Sequence, residues 1–148
     1  ILGGPRSSRP NQALRERARL VSSSSGWYGT LQGAGALGVT AQLEGSDQDA
    51  VEKAIMAEIA RVQSEGVTAE ELARAITASE AEREFSRETV EGLALAYGRA
   101  ETTWNLEAER TYVDRIRAVT RDQVQQAARR YLTGSYARLA FVPRGRAQ

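Results

Sequence analysis

Residues 22–43 decide the fold, and they read SSSSGWYGTLQGAGALGVTAQL. Leu37–Leu43 alternates apolar and polar side chains with the period of two that is typical of a β-strand. A Ser-rich run leads into Trp27–Leu31, which we interpret as a second strand. Gly33 and Gly35 lie between the two segments and fit the turn of an antiparallel hairpin. The stretch therefore predicts two paired strands.

The turn of this hairpin also carries a glycine pattern found in dinucleotide-binding proteins. Gly33–Gly38 matches G-x-G-x-x-G. That motif holds a pyrophosphate only where it follows a buried strand and opens a helix, whose first N–H groups bind the anion. Here the pattern leads into the alternating segment Leu37–Leu43 instead. We interpret the glycines as hairpin residues and expect no dinucleotide cofactor.

The segments on both sides of the hairpin predict helices. Asn11–Arg19 suits a short helix after a Gly- and Pro-rich loop at residues 3–10. Thr68 and Thr120 each precede Glu or Gln by three residues, the spacing of a capping box, and Ser46 offers a similar helix start. Apolar residues at helical spacing support these helices: Val51, Ile55, Ile59, Val62, Leu72, Ile76, Leu106, Tyr112, Val113, Ile116, Val124, Ala127, Ala128, Tyr131 and Leu132.

The order of these elements predicts an α+β fold, in which an antiparallel sheet carries several helices on one face. Tyr136–Val142 predicts a last strand, ended by Pro143 because proline cannot donate to a ladder. A sheet of three strands is small for packing against four or five helices, and Ile1–Gly4 does not resemble the natural N-terminus of a protein because it lacks Met. We therefore expect residues 1–148 to be a single-domain fragment truncated at its N-terminus, with the missing sheet upstream.

The composition excludes several classes of function. The chain has 148 residues, 20 Lys+Arg against 19 Asp+Glu, and neither Cys nor His. Thiol nucleophiles, disulfides, His-based proton relays and nearly all transition-metal sites are excluded, while carboxylates could still hold Mg²⁺ or Ca²⁺. The near-neutral charge argues against a nucleic-acid platform. No apolar run reaches the ~18 residues of a membrane span.

Three arginines form the main candidate binding feature. On an α-helix, Arg15 and Arg19 share a face at i,i+4, whereas Arg17 points elsewhere. Two interpretations remain open: a solvated surface, or recognition of a carboxylate or peptide carbonyl by the planar guanidinium. The acidic run Glu80–Glu84 favours a solvated surface, and the Ser22–Ser25 run has no nearby base to activate a nucleophile.

Taken together and in order, several segments resemble the pitrilysin/insulinase-type zinc metallopeptidases, including their bacterial members that are similar to mitochondrial processing peptidase. The segments are Leu2–Arg9, Leu14–Glu16, Glu65–Ala75, Glu88–Ala94, Ile116–Gln125 and Ala128–Leu132. The resemblance spans essentially all of the chain. It implies a half-domain of the LuxS/processing-peptidase-like metallopeptidase fold, specifically part of the C-terminal, non-catalytic homologous domain.

The resemblance implies a chain that is inactive alone. In that family, zinc is held by an inverted H-x-x-E-H motif and a distal Glu in the N-terminal homologous domain. A chain without His cannot hold that site, so we expect no catalytic or metal-binding residue here and zinc in a partner domain or subunit. The implied role is to help enclose and bind an extended peptide. The alternative is a peptidase-like scaffold or assembly protein without a proteolytic role.

The resemblance also implies one substrate contact. In family members an Arg, and a Tyr seven residues later, reach into the active site. Arg15 matches the Arg, whereas Ser22 occupies the Tyr position and Pro10 replaces the usual Leu after Ser-Ser-Arg. Arg15 is therefore the candidate substrate-binding residue. The compartment stays open, with the periplasm favoured over the cytoplasm, and an exposed sheet edge predicts a homodimer of the fragment.

Overall fold

The structure is a computed structural model that describes residues 1–3, 8–31, 33–43, 45 and 47–142. Two strands, β1 (Ser23–Leu31) and β2 (Ala34–Gln42), pair in antiparallel register with Trp27 opposite Gly38. Gly33, with φ of 77°, lies between them in the left-handed backbone region that glycine tolerates. The predicted hairpin is confirmed. The glycine pattern runs through β2 and opens no helix, as expected.

A π-helical segment precedes the hairpin and six α-helices follow it within the described residues. The N-terminal π-helical segment is Asn11–Arg17. The α-helices are α1 (Gln48–Glu65), α2 (Ala69–Ser86), α3 (Val90–Thr103), α4 (Leu106–Arg110), α5 (Tyr112–Arg117) and α6 (Arg121–Tyr131). Across the described ranges, none of the helices is both long and apolar enough to cross a bilayer. The α+β class is confirmed.

The predicted capping boxes form at two helix starts. The Thr68 hydroxyl accepts a hydrogen bond from the Glu71 amide at 3.1 Å, and the Glu71 carboxylate accepts one from the Thr68 amide at 2.8 Å. Thr120 and Gln123 make the same pair of bonds at the start of α6. The cap of α1 is Asp47, which accepts from the Asp49 amide at 2.8 Å. Ser46, the predicted cap, lies outside the described residues.

Among the described residues, two small apolar clusters join the elements. In the first, the buried side chains of Leu14, Val21 and Val51 join the π-helical segment to α1, and Ala41 and Leu43 pack against them from β2 and the residue after it. The second cluster packs α1 against α6 and the start of α2, and its buried members are Val62, Val67 and Ala128. The π-helical segment and α1 therefore pack against the hairpin at Ala41, while α6 and the start of α2 pack on α1.

The predicted third strand is wrong. Tyr136–Val142 pairs with no strand of the described residues, and the side chain of Phe141 is 91% exposed. The segment is held instead by polar contacts, because Arg138 donates to Asp49 at 2.7 Å and Tyr136 donates to Glu52 on α1. An alternating pattern forms a strand only when a neighbouring strand accepts its ladder bonds. Pro143, the predicted strand end, lies outside the described residues.

Two helical details also differ from the prediction. The single helical pattern from Leu106 to Ile116 is divided into α4 and α5 at Thr111. No apolar stripe in the sequence predicted helix α3, because its apolar residues are not confined to one face. Leu95, for example, is exposed. Its start is nevertheless capped by Thr89, whose hydroxyl accepts from the Gly92 amide at 3.0 Å.

A bidentate ion pair fixes the residues before the π-helical segment onto α2. Arg9 donates through Nε to Glu71 Oε1 at 2.6 Å and through Nη2 to Glu71 Oε2 at 2.8 Å. The same guanidinium donates to the Gly66 carbonyl at 3.0 Å. The Arg9 hydrogen bonds are the largest cause that lowers the pKa of Glu71 from 4.5 to about 2, and the Thr68 amide lowers it further.

We expect the Glu71 carboxylate to make stability depend on pH. Because its pKa is lower in the folded protein, its contribution is fully present above pH 4.5 and is lost as the pH falls from 4.5 to about 2. Glu71→Gln keeps a capping-box side chain but removes the charge. It should cost about 1–3 kcal/mol at pH 7 and flatten the acid dependence of thermal unfolding.

The matched control is Glu70→Gln, because Glu70 lies one residue away and its side chain is 86% exposed in its pair with Arg74. That variant should stay within about 0.5 kcal/mol of the unmodified protein, as surface ion pairs contribute little. Equal acid unfolding curves for Glu71→Gln and the unmodified protein would contradict the assigned role.

Candidate functional site

Arg15 lies in the middle of the π-helical segment and is half-buried. The wider turn is visible in the backbone: the Ala18 amide donates to the Ala13 carbonyl at 3.0 Å, a bond over five residues. Helical turns of this width are rare and occur frequently at functional sites, because they re-aim side chains relative to an α-helix. The backbone at Arg15 is therefore a special feature of this chain.

The arginine arrangement differs from the one that α-helical spacing predicts. The segment ends at Arg17, and Arg19 follows with a φ of 52°, in the left-handed backbone region. The i,i+4 relation that would place Arg15 and Arg19 on one face therefore does not hold. Arg17 approaches Glu58 of α1 at 3.7 Å. Within the described parts of the chain, Arg15 has no acidic side chain within ion-pair distance.

Ser22 is turned towards the end of β2. Its hydroxyl donates to the Gln42 carbonyl at 3.2 Å, and its amide donates to the same oxygen at 2.9 Å. Both polar groups of Ser22 are thus used to extend the hairpin by one residue. The Ser22 side chain is bonded within the hairpin and is much shorter than the tyrosine side chain found at this position in the resembling family.

Two buried polar residues that the sequence analysis did not single out hold the π-helical segment. Asn11 donates through Nδ2 to the Ser24 carbonyl of β1 at 3.0 Å. Glu58, whose side chain is only 8% exposed, forms an ion pair with Arg17 at the other end of the segment. Glu58 lies three residues after Ile55 and four before Val62, so a charged residue inside the apolar stripe of α1 was the available signal.

The glycine-rich N-terminal loop contributes packing where it is described. Gly3 and Gly26 approach so closely that a Cβ on either would clash with the backbone of the other. Arg9, which an anion-binding loop would need, is engaged by Glu71 instead. Residues 4–7 lie outside the described residues. The described part of the loop therefore forms a backbone contact with β1.

A second buried ion cluster joins α2 to α4. The carboxylate of Glu109 lies 3.0 Å from Arg83 and 2.7 Å from Arg87. The two guanidinium groups lie over the rings of Tyr112 and Tyr97, at 4.5 Å and 5.5 Å from the ring centroids. The buried Nε of Arg87 has no hydrogen-bond partner among the described residues. Both arginines are nevertheless held by one carboxylate and two aromatic faces, which indicates a structural cross-link between helices.

The chain does not fit a zinc site. It contains no His or Cys, and the described residues hold no group of three Asp or Glu side chains that could bind a metal together. Of the predicted solvated acids, Glu80 pairs with Arg117 at 2.6 Å, while Glu82 and Glu84 are exposed on α2. Zinc in proteins is held mainly by imidazole and thiolate ligands, which this sequence lacks.

Comparison with known proteins gives a consistent set of relatives. Residues 1–79 match the family described as the peptidase M16 inactive domain. A protein assigned as a zinc protease from Bordetella pertussis Tohama I has 28% identity and a TM-score of 0.77, with 90% of this chain and 74% of that chain covered. The inactive peptidase domain of a protein assigned as a zinc protease from Bordetella parapertussis has 26% identity and a TM-score of 0.79, with 90% and 73% covered.

A protease from Helicobacter pylori shares the fold, with a TM-score of 0.80 over 90% of this chain at 18% identity. The chain spans about a third of that protein, 32% of its length. No curated protein sequence matches the chain.

We expect this chain to retain no zinc, because it supplies neither imidazole nor thiolate ligands. Equilibrium dialysis of the purified chain against zinc, followed by metal analysis, should give far less than one zinc per chain. The control is a zinc peptidase dialysed in parallel. Retention of one zinc per chain would contradict the expectation.

Proposed function

Because the chain belongs to the family of peptidase M16 inactive domains, we propose that it helps a zinc metallopeptidase to enclose and bind extended peptide substrates. The proposal covers residues 1–148 as one part of the C-terminal inactive domain. The metal-binding half is supplied by a partner domain or subunit, since this chain lacks the ligands. The bacterial origin of the similar structures supports a bacterial enzyme.

The observation that carries the proposal is the state of Arg15. Arg15 is half-buried and lies on a π-helical turn, which is rare. No acidic side chain of the described residues forms an ion pair with it. An arginine that merely solubilises a surface needs no such turn. A guanidinium offers five N–H donors in a planar fork, which suits peptide carbonyls and carboxylates.

A peptide contact of this kind requires no chemistry from the chain itself. Arg15 would donate hydrogen bonds to oxygen atoms of the bound peptide, and the packed hairpin and helices would hold the residue in place. No group in this chain has to accept or release a proton, because such a contact consists only of hydrogen bonds that the guanidinium donates. The role is therefore binding and orientation.

The second candidate is a peptidase-like scaffold with no proteolytic role, and Ser22 favours it. The side chain at the position where the resembling family carries a substrate-contacting Tyr is bonded to Gln42 instead. We also propose a homodimer of this chain, since β2 has no strand on its second side among the described residues. An H-x-x-E-H motif in the parent chain or a partner subunit favours the enzyme; its absence from both favours the scaffold.

We expect Arg15→Ala to weaken peptide binding in the assembled enzyme. With a quenched, unstructured peptide as substrate, KM should rise about tenfold while kcat stays within about twofold, the pattern for loss of a contact made equally in the bound and transition states. Cleavage by the assembled enzyme should be abolished by a chelator, and this chain alone should be inactive.

Arg19→Ala is the matched control, because Arg19 is exposed beyond the end of the π-helical segment. Its KM should equal that of the unmodified enzyme. An unchanged KM for Arg15→Ala would refute the peptide contact. A full-length parent that binds no zinc and cleaves nothing, with no metal-binding partner subunit, would favour the scaffold.

A further inference from the structure

Glu58 is a buried carboxylate on the apolar face of α1. Its side chain is 8% exposed, and it shares its face of the helix with Ile55 and Val62. Removing a carboxylate from water is costly unless cations and hydrogen bonds replace the lost hydration. Apolar side chains fill the rest of this face, so the Glu58 carboxylate adds nothing to its apolar packing.

The partners of Glu58 come from two elements. Arg61, one turn later on α1, donates to both carboxylate oxygens at 3.1 and 3.3 Å. Arg17, the last residue of the π-helical segment, lies 3.7 Å from Glu58 Oε1. Arg61 thus neutralises and orients the carboxylate within its own helix. The oriented carboxylate then meets the end of the segment that carries Arg15.

In the described part of the chain, three side-chain contacts hold the π-helical segment along its length. Asn11 is bonded to β1 at the start, and Leu14 is fully buried against α1 and Val21 in the middle. The contact between Arg17 and Glu58 is the third, at the end where the chain leaves the helix. Arg15 lies between the second and third contacts. Because π-helical turns are rare in proteins, we infer that this one depends on such tertiary contacts.

We propose that Glu58 is a positioning residue for Arg15: through Arg17 it fixes the end of the π-helical segment, and so the direction in which the Arg15 guanidinium meets the peptide. This inference rests on the proposed function. It gives the buried Glu58 carboxylate a role in orientation, whereas its partners Arg17 and Arg61 are 63% and 46% exposed.

The test uses the full polypeptide that contains this chain, assembled with its catalytic domain or subunit, and the same quenched unstructured peptide. Glu58→Gln should raise KM about fivefold with kcat within about twofold, and Glu58→Asp should recover part of the loss. Glu58→Gln combined with Arg15→Ala should bind no worse than Arg15→Ala alone, because the two residues act as one unit.

Glu65→Gln is the matched control. Glu65 is on the same helix and pairs with the same Arg61, at 3.7 Å, but its side chain is 62% exposed and has no ion pair with the π-helical segment in the described part of the chain. Its KM should not change. Hydrogen exchange gives a readout independent of activity: amides of Leu14–Leu20 should exchange faster in Glu58→Gln than in Glu65→Gln.

The outcomes distinguish failure of the Glu58 positioning role from failure of the Arg15 peptide contact. If Arg15→Ala raises KM but Glu58→Gln changes neither KM nor exchange in Leu14–Leu20, Glu58 is not a positioning residue and the peptide contact stands. If Arg15→Ala leaves KM unchanged, the peptide contact fails and the role of Glu58 fails with it. Should Glu58→Gln not fold, Arg17→Ala removes the same contact from an exposed side chain; it should raise KM about threefold, and an unchanged KM overturns the proposal.

Discussion

The burial of Leu14 between Val21 and Val51 is the contact on which the rest of the arrangement depends. It fastens the π-helical segment to α1, and the hairpin packs against the same cluster through Ala41. Polar contacts of Asn11 and Glu58 add to this small cluster at the two ends of the segment. We infer that these tertiary contacts, together with the π-helical turn, set the direction of Arg15.

Local patterns predicted most of the secondary structure, because the deciding hydrogen bonds and turns join residues that are close in sequence. The hairpin follows from alternation and glycine, and the starts of α2 and α6 follow from capping side chains at fixed spacing. The prediction failed where a distant partner decides the outcome. Tyr136–Val142 has strand-like alternation but no neighbouring strand among the described residues, so it remains an extended segment held by α1.

The role of Arg15 stays a prediction, and the structure around Arg15 could not be predicted from the sequence. Arg15 was identified through a family resemblance, whereas the π-helical turn depends on packing that no short pattern encodes. The expected pairing of Arg15 with Arg19 on one face was wrong because the turn is wider than an α-helical one and ends at Arg17. Glu58 was detectable in principle, since a charge within the apolar stripe of a helix needs a partner.

The chain belongs to the family of peptidase M16 inactive domains and contains neither His nor Cys, and Arg15 is the residue for which we propose a peptide contact. The most direct measurement is a crystal structure of the assembled protein with an uncleaved extended peptide bound. We expect the Arg15 guanidinium to lie within about 3 Å of a peptide oxygen, at hydrogen-bond distance. A bound peptide that leaves Arg15 facing solvent or paired within its own chain would contradict the proposed role.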